Sequence, residues 1–426
     1  MNFHFVFSNF WGFQAMAENA RSTRLPRAGF RAVLGAAILV VASIFSSEHL
    51  TRAAEIQIQA AESMQPVKSA NIRYAKGFSL EYDGDFKVLK VLSPWRDAKT
   101  TFTYILAPRG QKVTCMPPNA MVIEIPVRRM AASTSSCLPF LPMLHVEQTL
   151  VGFAGCKLVS TPEIALMIRQ NQIAEIGSGG GMKISLNMEQ LYAIQPEMVM
   201  VYGTGLPEYD HHPKLIEAGF KTVIFASYME PTPLGRSEWI KFLAAFFDRE
   251  AEAEEIFDEI AKRYEEQAAK VRDVAARPSV FCAAPYRGVM YVPGGKSYVA
   301  RLIEDAGAGY LWADDTTSAS SPLSVEHVID RAKDADYWLD PDASRAMIEL
   351  AGVDERFSVF KAFRTGQVYN NDAKVGPDGG NDFWETGEAK PDLILKDLIS
   401  IFHPELLPSY RRTWYRQLPQ HIEGER

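Results

Sequence analysis

The sequence predicts an α/β protein: two lobes with parallel-sheet cores, bridged by one long rigid α-helix and preceded by an N-terminal β-rich extension. Three observations carry this. From Arg128 onward short apolar runs alternate with helical segments. A stretch without Gly or Pro, residues 249–276, interrupts that alternation once. Residues 71–127, before it, show period-2 patterning broken by turn residues.

The composition is that of an ordinary globular protein: 426 residues, 47% hydrophobic and 23% charged. The 45 basic and 52 acidic side chains leave a net charge of −7, without the basic excess of a nucleic-acid binder. Arg21, Arg24, Arg27 and Arg31 precede an apolar run from Val33 to Phe45. That run is short of the ~20 residues a membrane span needs, and the pattern reads as a secretory signal peptide over residues 1–53. Thr51 and Ala53 suit cleavage before Ala54. A start at Met16 would give a basic region of conventional length, and an uncleaved anchor is the alternative. No cysteine lies just after the apolar run, which argues against a lipid anchor. Cleavage removes five arginines and two glutamates and leaves the mature chain at −10.

Residues 54–70 read as a polar linker. The extension, 71–127, carries alternating runs at Phe78–Tyr82, Phe86–Val91, Thr101–Leu106 and Met121–Ile125, expected as antiparallel strands and hairpins. Lobe 1 spans 128–248. Its strand candidates are Met130–Ala132, Met198–Tyr202 and Lys221–Phe225, the last two continuous apolar runs buried on both faces. The bridging helix is expected over 249–276: Phe257, Ile260, Tyr264, Ala268, Val271 and Ala275 form one apolar stripe, and Pro278 stops it. At ~1.5 Å per residue it would reach roughly 40 Å. Lobe 2 spans 277–416, with strands at Ser279–Cys282, Ala335–Leu339 and Gln367–Tyr369 and an apolar helix at Pro391–Phe402, and 417–426 form a tail.

Motifs of catalysis fare poorly. Gly177–Gly181 fails G-x-G-x-x-G, because Met182 stands where the last glycine belongs. Gly294-Gly-Lys-Ser297 lacks the earlier P-loop glycine, that position being Met290. His211 and His212 are adjacent and so point apart on a helix. Cys115, Cys137, Cys156 and Cys282 show no C-x-x-C spacing for zinc. Cys137 and Cys156 are close enough in sequence to pair in an oxidising compartment, with buried free thiols the equal alternative. More informative are Tyr286, Arg287 and Tyr291, and the Gly-rich stretch 370–389 with Asn371, Asn381, Asp382, Phe383, Trp384 and Glu385. Aromatics mixed with amides and charges in a long loop suit a ligand wall.

The order lobe, helix, lobe resembles the substrate-binding proteins of ABC importers for iron-siderophores, haem and vitamin B12, the helix-bridged class III family. Ser185–Val199 is similar to that family's N-L-E-x-L-x-x-L-x-P-D-L-V segment. Leu323–Val328 followed by Ala335–Leu339 is similar to its lobe 2 counterpart. Leu150–Gly152, Val292–Tyr298 and Asp305–Gly307 also fit, so the likeness covers roughly 128–402 and leaves 71–127 without a counterpart. The resemblance implies a periplasmic protein, monomeric and without enzymatic activity or cofactor, that captures a metal chelate and delivers it to an ABC permease. It also implies only a few degrees of rocking on closure.

By motif, the acids that would meet the permease are Glu189 and Glu326. The implied cleft walls are Ser133, Thr134, Ser135, Lys183, Tyr202 and Tyr228 from lobe 1, and Tyr286, Arg287, Tyr291, Asn381, Phe383 and Trp384 from lobe 2. The family's ligand-stacking tryptophans are unmatched, with Lys183 and Ser320 at about those offsets. This puts an iron-siderophore ahead of haem or cobalamin. The competing class is a metal-dependent enzyme on a related two-lobe fold, with a site from His211, His212 and Asp382. A surface adhesion module would fit the N-terminal strands but not the buried parallel ones.

Overall fold

The computed structural model describes residues 68–114, 116–179, 184–341 and 344–421. The expected signal peptide and nearly all of the linker lie outside the described residues. Among those described, no helix is long and apolar enough to cross a membrane.

The extension forms one sheet in the order β1 (Lys68–Ser69), β2 (Phe78–Asp83), β3 (Phe86–Val91), β4 (Phe102–Pro108), β5 (Met121–Ile125). The first four strands pair antiparallel, but β4 and β5 run parallel. The hairpin expectation fails there because residues 109–120 are long enough for a crossover. Leu80, Leu89 and Val91 turn inward, and Phe78 packs edge-on against Trp239 and Phe242 of lobe 1 at 5.0 and 5.5 Å.

Two buried carboxylates pin the segment that leads into this sheet. Glu238 accepts the backbone N–H groups of Arg73, Tyr74 and Ala75 at 2.9, 2.6 and 2.8 Å. Glu230 accepts those of Lys76 and Gly77 at 2.9 and 2.7 Å, and Trp239 Nε1 at 3.1 Å. A loop with no ladder of its own thereby satisfies five successive donors. Gly77 is required: a Cβ there would stand 2.9 Å from Glu230 Oε1.

Lobe 1 holds β6 (Met130–Ala132), β7 (Leu150–Phe153), β8 (Ala174–Glu175), a small hairpin of β9 (Gly177–Ser178) and β10 (Ser185–Leu186), then β11 (Met198–Val201) and β12 (Thr222–Ile224). Its core sheet is parallel, in the order β12-β11-β6-β7-β8. Every residue of β6, β11 and β12 is buried, which is why these strands read as unbroken apolar runs.

The bridging helix runs Glu250–Lys270, six residues short of its expected end. The chain leaves it because Val271, with 1% exposure, turns into lobe 2, where its Cβ would lie 2.8 Å from a Cβ placed on Gly307. The helix therefore spans about 31 Å. Arg263 ties it to Asp392 of the helix Pro391–Phe402 at 2.7 Å.

Lobe 2 follows with β13 (Ser279–Cys282), β14 (Ala284–Tyr286), β15 (Val289–Pro293), β16 (Gly309–Tyr310), β17 (Ser320–Ser324), β18 (Tyr337–Leu339), β19 (Val368–Asn370) and β20 (Arg416–Gln417). The core order is β16-β13-β18-β19-β20, parallel except for β20. The expected tail thus begins inside the sheet: Gln417 pairs with Tyr369, and Leu418 is buried. Strands β14, β15 and β17 form a separate antiparallel sheet.

Candidate ligand cleft

Each core sheet reverses its strand order once. In lobe 1 the chain begins at β6, proceeds to β7 and β8, and returns on the other side with β11 and β12, so the switch lies between β6 and β11. In lobe 2 it lies between β13 and β18. Crevices beyond the carboxyl ends of strands at such points are where α/β sheets bind ligands. The two carboxyl edges meet. Glu385, in the segment after β19, accepts the N–H groups of Ser160 and Thr161, after β7, at 3.1 and 2.5 Å, and also the Thr161 hydroxyl. Below this contact Arg236 pairs with Glu388, lies 4.0 Å over the Tyr298 ring, and is followed by Ser237 Oγ donating to Ala389 O at 2.9 Å.

The lobe 1 candidates converge. Ser133, Thr134 and Ser135 leave β6, and Tyr202 leaves the neighbouring β11. Tyr228 follows β12 and donates its hydroxyl to Gly203 O at 2.6 Å. Ser133 Oγ is buried with no hydrogen-bond partner among the described residues, an acceptor and donor still to be satisfied. Lys183 lies outside the described residues.

In lobe 2, Tyr286 and Tyr291 stand across the β14–β15 hairpin with ring centroids 6.3 Å apart. Arg287 occupies the turn at φ 50°, followed by Gly288 at φ 81°, and its guanidinium rests 5.1 Å over the Tyr286 ring. Two expected wall residues are corrected. Phe383 is wholly enclosed, 4.8 Å from Trp384 and 5.6 Å from Tyr415, so it anchors its loop on the core and offers a ligand no surface. Asn381 is buried as well: its amide donates to Asn371 O and Oδ1, and its oxygen accepts from Phe383 N–H. Trp384 remains half-buried on the same loop.

The lobe 2 switch point holds a group that sequence reasoning missed. Asp340, just after β18, adopts φ 53° and is buried. It accepts from Tyr415 Oη at 3.2 Å and Cys282 Sγ at 3.5 Å, while its Oδ1 has no partner among the described residues. Burial pushes its carboxyl up to about 7. Glu385 is likewise pushed up to about 7 by burial, its Thr161 and Ser160 donors opposing and Asp382 adding to the rise. No local motif marks Asp340, because its partners lie 58 and 75 residues away.

The residues of the competing metal site are not brought together. His212 of lobe 1 packs against Trp95 and Phe102 of the extension, while Asp382 accepts from Trp414 Nε1 at 2.8 Å in lobe 2. Burial lowers both His211 and His212 from the usual histidine range. Cys137, Cys156 and Cys282 are buried free thiols, which decides the pairing left open above. A separate cavity of 490 Å³ opens beside the bridging helix. There Arg272, Arg277 and Arg301 are offset by Glu265, Glu304 and Asp305, and no strand end reaches it.

The two acids assigned to docking occupy matching positions. Asn187 caps the helix Met188–Ile194 by accepting from Gln190 N–H, and Ser324 caps Val325–Ala332 by accepting from His327 N–H. Glu189 and Glu326 are each the second residue after the cap, and both are exposed. Glu326 pairs with Arg356; its own helix N-terminal N–H and that guanidinium hold its carboxyl below the usual range.

A sequence profile of the periplasmic binding protein family matches residues 140–375. A protein of Methanocaldococcus jannaschii named as an uncharacterized lipoprotein is 26% identical over 371 residues, covering 80% of this chain and 84% of that one. That name lends no support to the reading against a lipid anchor. Among solved structures, a periplasmic binding protein from Veillonella parvula aligns with a TM-score of 0.53 and 15% identity, covering 72% of this chain and 95% of that one. A periplasmic haem-binding protein from Pseudomonas aeruginosa aligns with a TM-score of 0.51 and 18% identity, covering 70% and 99%. The profile match takes in more than half of the chain, and the lobes, the single bridging helix and the meeting strand ends agree with it: the chain belongs to the periplasmic binding protein family, in its helix-bridged class III.

Proposed function

We propose that this binding protein captures a metal chelate outside the cytoplasmic membrane, an iron-siderophore ahead of haem or cobalamin, and delivers it as a monomer to an ABC permease. The observation that supports the reading is the meeting of the segments that follow the two sets of strand ends at the Glu385 contact, with tyrosine- and hydroxyl-bearing residues following the strands of both lobes. Tyr202, Tyr228, Tyr286, Tyr291 and Trp384 offer flat apolar area to a large ligand, with Ser133–Ser135 and Arg287 to fix its polar edge. The P. aeruginosa relative is named for haem, which fits a ligand of this size. Glu189 and Glu326 serve as the permease contacts, one per lobe, and give register and steering. The bridging helix and the Glu385 contact restrict opening to a small rocking motion, and no resident cofactor or catalytic step is involved.

The test is mass spectrometry and visible absorbance of protein purified from its native host. Iron with a siderophore charge-transfer band is expected. A haem or corrin spectrum would change the ligand and keep the class, whereas recovery of a metal-free sugar or peptide would refute the chelate reading.

A further inference from the structure

The cavity of 490 Å³ beside the bridging helix is walled by all four parts of the chain: Tyr74 from the extension, Leu234 from lobe 1, Tyr264 and Ala268 from the helix, and Arg301 from lobe 2. Its volume is that of a small-molecule site. Its three acids are already engaged. Asp305 accepts from Tyr264 Oη at 2.8 Å and Arg301 Nε at 2.9 Å, Glu304 pairs with the same guanidinium at 3.6 Å, and Glu265 accepts from Tyr74 Oη. Arg272 and Arg277, on the segment that leaves the helix, differ. Neither has an acid within ion-pair reach among the described residues, and Asp273, next to Arg272 in sequence, bonds to neither. Arg277 Nη2 donates to Arg272 O at 3.2 Å, so its guanidinium folds back onto the turn that carries the other. The offset of charge in this cavity is thus uneven. Two exposed guanidiniums stand together without a counter-charge, beside apolar surface from Leu234, Ala268 and Val271.

We propose that this cavity is a second ligand site, separate from the cleft, and that it takes a phosphate monoester with an apolar body. A carboxylate has two oxygens and is filled by one planar guanidinium, whereas the three terminal oxygens of a phosphate can serve two. Arg272 and Arg277 hold the phosphate, and Leu234, Ala268 and Val271 face the apolar body. Such an occupant touches both lobes and the helix at once. The inference goes beyond the proposed function and does not rest on it.

Isothermal titration calorimetry of the full mature chain with phenyl phosphate, benzoate and benzylamine tests it. Phenyl phosphate is expected to bind at one site, benzoate more weakly, and benzylamine not at all. Arg272→Ala together with Arg277→Ala should weaken phenyl phosphate about tenfold or more, and Arg272→Lys with Arg277→Lys should recover part of the loss. Ala268→Trp keeps both charges but fills the cavity, and it should abolish binding. Ala268→Met replaces it if that variant fails to melt cooperatively, with a loss of about tenfold expected. Unchanged affinity in the double alanine variant overturns the inference, and so does unchanged affinity in the Ala268 variant, which would reduce the effect to surface charge. Absence of binding by the wild type, or benzoate or benzylamine binding as tightly as phenyl phosphate, overturns it as well. The chelate reading stands or falls separately, on the spectrum of the native ligand.

Discussion

Glu385 makes stability depend on pH in a direction that can be worked out beforehand. Its carboxyl is buried at the contact between lobes and stands near 7 in the folded protein, against ~4.3 in an unfolded chain. An acid raised by folding favours the protonated folded state. Its contribution is complete below about pH 4 and disappears as pH climbs through 7. At ~1.4 kcal/mol per pH unit of that gap, moving from pH 5 to pH 8 removes about 2–3 kcal/mol. Glu385→Gln preserves the side chain's size and an acceptor for the Ser160 and Thr161 N–H groups but cannot ionise. Urea unfolding of both proteins at pH 5 and pH 8 isolates the effect, since Asp340, raised in the same direction, is common to the two. The wild type should lose about 2–3 kcal/mol more than the variant across that interval. An identical loss in both would show that Glu385 ionises normally in the folded protein.

Glu238→Ala leaves three backbone N–H groups without their acceptor, while Lys241 keeps Asn71 O and Glu254, and should cost about 3–5 kcal/mol in chemical denaturation, with early proteolysis near residues 71–77. Gly205→Ala places a Cβ 2.6 Å from Trp95 at φ +76°, so Trp95 should be displaced and become open to acrylamide quenching, with about 1–3 kcal/mol of stability lost. Charge reversal at Glu189 and Glu326 together should abolish uptake in cells while the purified protein binds its ligand as before; lost ligand binding would reject their role in docking.

The parts legible beforehand are those whose signal is local. The Gly- and Pro-free run marks the bridging helix because helical periodicity is a property of neighbours in sequence, and Met198–Val201 reads as a two-face-buried strand for the same reason. Where that helix ends is decided by Val271 meeting Gly307, and no pattern within the helix encodes it. Phe383 and Trp384 show why the site was only half legible. Both are aromatics in a polar loop, and only the packing of Tyr415 against Phe383 tells the anchor from the wall. Asp340, Glu230 and Glu238 acquire their roles from partners 58 to 165 residues distant, which composition and spacing do not report.

The carboxylates beneath residues 73–77 bear on where this protein can be cut. The family-matched segment starts at residue 140, which invites treating everything before it as a detachable module. A chain begun at residue 128 would keep Glu230 and Glu238 but lose the five amides that donate to them, leaving Glu230 with Trp239 Nε1 and Glu238 with Lys241. Loss of the extension therefore removes the partners that make two acids useful at these positions. In descent the same linkage holds in reverse: the extension and the glutamates at 230 and 238 form one heritable unit, so relatives that lack the first should lack the second.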